Sequence, residues 1–145
     1  MKKIHVTLIA LALAVATLAL IAVPALAQAQ KVDLVKADPS LPGGGYVVFN
    51  GPAGNNQFEC ELSLKGVEPK TAYDVYLDIS TLGVYGWLIG TITTSAAGNA
   101  NLHHNCPISD TVIPLPPGPY DFAVHVSLAG SMDYLYSMSA TVIIK

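Results

Sequence analysis

The sequence predicts an all-β fold, a two-sheet antiparallel β-sandwich of about eight strands. Three observations predict it. After residue 28 almost no stretch shows helical periodicity, whereas apolar and polar residues alternate repeatedly. Clusters of Gly, Pro and Asn punctuate the alternating runs. The proline-rich stretch from Pro107 to Pro119 cannot be a central strand, and its length suits a passage from one sheet to the other.

Residues 1–27 stand outside that fold. Met1-Lys2-Lys3 is a positive start, Ile4 to Val23 is almost wholly apolar, and Pro24 breaks any helix ahead of Ala25-Leu26-Ala27. That order is expected of a signal peptide cleaved after Ala27, with Ala27-Gln28-Ala29 as a second site. A retained anchor is the alternative, since the run is long enough to span a bilayer. No cysteine follows the run, so a lipid anchor at this point is not expected. Residues 28–145 then form a single domain, expected in the periplasm, at the cell surface or secreted.

The first element is a short strand over Lys31–Lys36. Asp38-Pro39-Ser40-Leu41-Pro42-Gly43-Gly44-Gly45 is a loop, because Pro lacks a donor and Gly relaxes φ. Tyr46–Asn50 is a strand, turned back by Gly51–Asn56. Gln57–Lys65 alternates cleanly: Phe58, Cys60, Leu62 and Leu64 share a dry face, Glu59, Glu61, Ser63 and Lys65 a wet one. After a connection through Pro69, Tyr73, Val75, Leu77 and Ile79 point inward, with Asp74, Tyr76, Asp78 and Ser80 outward. Trp87–Thr94 returns, and Asn99–His104 follows the Ala96-Ala97-Gly98 turn, so Thr71–His104 reads as three consecutive antiparallel strands. Beyond the proline crossing, Tyr120, Phe122, Val124, Val126 and Leu128 alternate with polar neighbours. Ala129–Met132 is a hairpin tip, and Tyr134–Ile144 is the last strand.

Leu115-Pro116-Pro117-Gly118-Pro119-Tyr120, running into an alternating strand, resembles the start of a late strand in secreted immunoglobulin- and fibronectin-III-like modules. The resemblance implies a sandwich in which the Tyr120 hydroxyl bonds back to the corner backbone, and it implies no activity. The cysteines depart from the antibody pattern, because Cys106 precedes Tyr120 and Phe122 stands where a second cysteine belongs.

Charge and cysteines narrow the function classes. Residues 28–145 hold five lysines, ten acids and no arginine, a net charge of −5 with His neutral. Nucleic acid, phosphate-rich ligands and anionic membrane surfaces are poor partners for such a chain. Export places Cys60 and Cys106 in an oxidising compartment, where a mutual disulfide is expected. The closed loop of about 47 residues corresponds to roughly 4 kcal/mol in the chain-entropy picture. The alternatives are two buried thiols, or Cys106 as a metal ligand.

No catalytic pattern stands out, and the chain is expected not to be an enzyme. There is no Gly-x-Ser-x-Gly elbow, and the pairs Glu59/Glu61 and Asp74/Asp78 lie on wet strand faces, not across a cleft. No Asp-x-Asp-x-Asp-Gly loop suggests calcium. His103 and His104 are neighbours on one strand and so face opposite sides, which prevents a shared site without a bulge. No cofactor is expected; the alternative is a copper or zinc site using His103 or His104 with His125 and an acid. The aromatics are the strongest functional lead. Tyr85 and Trp87 sit at a turn beside Leu82 and Val84, and Tyr134 and Tyr136 share a face of the last strand by simple alternation. Such rings suit protein partners or self-assembly first and glycans second. Alternatively, Trp87 closes the end of the sandwich and both late tyrosines face inward.

Overall fold

The computed structural model describes residues 29–51, 57–107, 116 and 118–144. The expected leader, the turn after Gly51 and most of the 107–119 crossing lie outside the described residues. The described chain forms two antiparallel sheets. The first joins β1 (Gln30–Asp33), β3 (Gly44–Asn50), β4 (Gln57–Lys65) and β7 (Ala100–Pro107), in that order. The second runs β2 (Val35–Lys36), β9 (Tyr134–Ile144), β8 (Gly118–Leu128), β5 (Ala72–Ile79) and β6 (Val84–Thr93).

The expected first strand is split between the sheets. Gln30–Asp33 pairs with β3, and Val35–Lys36 pairs with β9. Leu34, at the switch, is buried, and its N–H donates to the Gly45 carbonyl at 2.9 Å. One short segment thereby ties one edge of each sheet to the other, a constraint invisible in its local alternation.

The three-strand reading of Thr71–His104 is corrected. β5 and β6 do pair, but β7 pairs with β4 on the other sheet. Two crossings between the sheets, 66–71 and 94–99, are bonded to each other at one end of the fold. Val67 N–H donates to the Gly98 carbonyl, and Gly66 N–H to Asn99 Oδ1. Thr94 Oγ1 accepts from Thr71 N–H at 2.9 Å and lies 2.7 Å from the Glu68 carbonyl, to which it donates. Gly98 is required here: its φ is +73°, and a Cβ would lie 2.1 Å from the Val67 carbonyl oxygen.

β7 belongs to the four-stranded sheet and β8 to the five-stranded one, as expected for a crossing between them. Beyond the split first strand, β3, β4 and β7 lie side by side in one sheet and β9, β8, β5 and β6 in the other, so the third full strand, β5, already lies on the second sheet. The Tyr120 corner forms, with the hydroxyl donating to the Pro116 carbonyl at 2.8 Å.

Between the sheets lies one core. The inward residues of β4 (Phe58, Cys60, Leu62, Leu64), β5 (Tyr73, Val75, Leu77, Ile79) and β8 (Phe122, Val124, Val126) are all buried, as alternation predicts. All three phenylalanines of the chain meet there. Phe58 stacks on Phe122 across the sheets at 4.6 Å, and Phe49 lies 5.6 Å from both. Each contributes about 1.5–3 kcal/mol through burial, and the ring pairs add to that.

Candidate functional site

The outer face of the five-stranded sheet was expected to be wet and is largely covered. Asp74 and Tyr76 are buried, because β5 is central and the β8–β9 turn folds across this face. Asp74 receives the Thr91 hydroxyl on Oδ1 at 2.6 Å and the Gly130 N–H of that turn on Oδ2 at 2.8 Å. These donors hold its carboxyl below the usual range. Met132 of the same turn reaches across to β6, its Cε 3.9 Å from where a Cβ would stand on Gly86.

Beside Asp74 runs a polar and aromatic chain. Asp78 accepts the Gly86 N–H on Oδ1 at 2.6 Å, and its Oδ2 lies 3.1 Å from His125 Nε2. The His125 ring stacks on Tyr134 at 4.2 Å, and Tyr134 in turn meets Tyr76 at 6.2 Å. His125 Nδ1 is buried and has no hydrogen-bond partner among the described residues. Burial first, then the charge of Asp78, pushes the Tyr134 hydroxyl above its ordinary pKa.

The four aromatics singled out from the sequence do not form one site. Tyr134 and Tyr136 face opposite ways, because a register shift between Val126 and Ser127 leaves Leu135 without a cross-strand partner. Two residues apart in sequence, they are one pairing step apart in the sheet. Tyr136 is a core residue, 1% exposed, whose hydroxyl donates to the Pro42 carbonyl at 2.6 Å. Trp87 is half-buried against the core, edge-on to His104. Tyr85 alone is broadly open, at 67%. Leu88 on the same strand and Met132, which reaches β6 at Gly86, are also exposed, at 49% and 63%, neither singled out from the sequence. The available signal was a large apolar residue, Met132, at a hairpin tip, where polar residues are usual. Leu88 surfaces because it pairs with outward-facing Tyr76, next to a bulge at Ile89.

Among the described residues His103, His104 and His125 occupy three separate places, so the expected alternative that joins His103 or His104 to His125 is not brought together there. His103 points out of the four-stranded sheet, its Nδ1 3.2 Å from Glu61 Oε1. His104 lies between the sheets, and His125 on the outer face of the other sheet. Among the described residues no group of three or more His, Cys, Asp or Glu side chains gathers. The carboxylate pairs are likewise apart, Glu59 and Glu61 on one outer face, Asp74 and Asp78 on the other. Cys60 is buried on β4 opposite His104, and the backbone register sets Cys106 opposite Phe58, a diagonal neighbour on the adjacent strand. The Cys106 side chain lies outside the described residues, and the expected disulfide with it.

Comparison with protein-family models and with curated proteins finds no match to this chain.

Proposed function

We propose that this protein is an exported, non-enzymatic binding module that engages a protein partner through the outer face of its five-stranded sheet. The observation that carries this reading is that Tyr85 and Leu88 on β6 and Met132, whose Cε stands 3.9 Å from where a Cβ would lie on Gly86 between them in sequence, are all exposed. Adjacent exposed apolar side chains next to a polar, hydrogen-bonded floor suit the centre and rim of a protein interface. Export to the periplasm or cell surface rests on the leader-like residues 1–27. A kinship with immunoglobulin or fibronectin modules is supported by the sandwich, the Tyr120 corner and the order of β3 to β9 in the two sheets, while the divided first strand is an addition to that plan. Glycan binding by Tyr85, Trp87, Tyr134 and Tyr136 as a group loses its support, because those rings do not share a surface.

A photocrosslinker at position 88, used on the source cells, tests the reading. One discrete protein adduct is expected, absent when Tyr85 and Met132 are both changed to Ser and unfolding is unaltered. Adduct formation indifferent to that pair would remove the reading.

A further inference from the structure

We infer that the outer face of the four-stranded sheet, on the opposite side of the molecule, is a binding site for a neutral oligosaccharide. This rests on different residues from the protein-binding corner and stands independently of it. Cross-strand registers lay out the face as a grid. Lys31, Val48, Glu61 and His103 form one row, Asp33, Tyr46, Ser63 and Asn101 the next, and Asn50, Glu59 and Asn105 a third. At its centre is a depression of about 310 Å³ lined by the side chains and backbone of Tyr46, Glu61, Ser63, Asn101 and His103, with Leu62 and Leu102 between them. That volume lies at the small end of ligand sites and accommodates one or two sugar rings.

The chemistry of the lining selects the ligand class. Asparagine is disfavoured within strands, yet this face carries Asn50, Asn101 and Asn105. The amides of Asn101 and Asn105 make no hydrogen bond among the described residues, so each presents donors and an acceptor outward. Residues placed against local preference, with no structural partner, are where a functional demand is expected. Side-chain amides and carboxylates bond pairs of neighbouring hydroxyls, and the Tyr46 ring offers an apolar surface to the C–H face of a pyranose. Lys31 Nζ lies over that ring, 4.0 Å from its centroid, and Lys65 Nζ 5.7 Å, so a stacking sugar displaces the Lys31 ammonium from the ring face and leaves it as a donor beside the ligand.

Charge then separates neutral from ionic ligands. Lys31 and Lys65 are balanced by Asp33, Glu59 and Glu61, and Glu61 is engaged with His103 at 3.2 Å. With no arginine anywhere, the face lacks the fork that recognises phosphate or carboxylate bidentately. An apolar ligand would leave the amides and carboxylates dehydrated and unpaired. A neutral, polyhydroxylated chain meets each of these conditions.

The test is a titration of the purified protein followed by amide ¹H–¹⁵N NMR, with cellotetraose and chitotetraose as neutral probes and trigalacturonate as an acidic one. Saturable shifts centred on Tyr46, Glu61, Ser63, Asn101 and His103 are expected with at least one neutral probe. Tyr46→Ala and, as a second and more exposed change, Asn101→Ala should each weaken that binding about tenfold or more. Leu128→Ser, an exposed position on the five-stranded sheet, should leave it unchanged. No saturable shift from either neutral probe up to about 10 mM overturns the proposal. So does binding that survives both substitutions, or tighter binding of trigalacturonate.

Discussion

The imidazole of His104 stands edge-on to the indole of Trp87, ring centroids 5.5 Å apart and planes at 88°, although the two residues belong to different sheets. The contact closes the side of the sandwich where β6 and β7, the edge strands, lie next to each other. It also makes the protein's single tryptophan a reporter of one histidine. Burial pushes the His104 pKa below the usual 6.5, opposed by the Ile89 backbone and reinforced by His103. The unfolded chain therefore takes up a proton near pH 6.5 that the folded protein resists. This contribution to stability is complete above that pH and declines as the pH falls toward the depressed folded value. Urea midpoints read by Trp87 fluorescence at about pH 7.5 and pH 5 should differ, and His104→Leu should reduce the difference. An undiminished difference in the variant would show that His104 is not the group responsible.

Asp74 gives a second, more acidic limb. Its pKa is depressed by the Thr91 hydroxyl and the Gly130 N–H, so its contribution is present above the ordinary carboxylate range and lost as the pH falls through the folded value. Asp74→Asn keeps the shape but leaves one donor facing an amide N–H₂. We expect a loss of about 2 kcal/mol at neutral pH and a shallower decline in stability below about pH 4. Equal acid profiles for the two proteins would contradict the assignment.

Tyr136 should behave as a core residue with a polar tip. Tyr136→Phe removes the donor to Pro42 and should cost about 1 kcal/mol, leaving the fold intact. Tyr136→Ala should cost about 3–5 kcal/mol through the cavity it opens. Neither change should alter capture of a partner at the Tyr85 corner except through loss of folded protein, measurable by comparing binding at equal folded fraction.

Two glycines with similar backbone angles separate strain from collision. Gly83 has φ +69° with open space around a Cβ, whereas Gly98 has φ +73° and the Val67 carbonyl within 2.1 Å. Gly83→Ala should cost about 1 kcal/mol from the left-handed conformation alone. Gly98→Ala should cost distinctly more, because the paired crossings 66–71 and 94–99 must move apart. Chemical unfolding of the two variants side by side decides it, and equal midpoints would argue against the packed crossing.

Much of the secondary structure was legible because its signal is local. The inward sets on β4, β5 and β8 follow from a side-chain period of two, and so does the separation of His103 from His104. The wetness of a face was less legible. Asp74 and Tyr76 alternate as surface residues would, yet the β8–β9 turn lies over them. The candidate sites were the least legible part. Tyr134 and Tyr136 exchanged their shared face for opposite ones through one bulged residue, Leu135, that no composition or spacing announces. Tyr46, Glu61 and the Asn101–His103 stretch, far apart in sequence, become neighbours only through the β3–β4–β7 registers.

The sequence by itself determined that the chain would form antiparallel strands with one dry face each, where most of them begin and end, and which side chains fill the core. Those properties depend on backbone pleat and hydrophobicity within a few residues. The tertiary structure alone decided that β7 leaves β6 for β4, that the first strand divides at Leu34, and that Tyr134 turns outward beside His125. Each of these depends on hydrogen-bond pairing between segments distant along the chain, where a one-residue difference in register moves a side chain to the other face of the sheet.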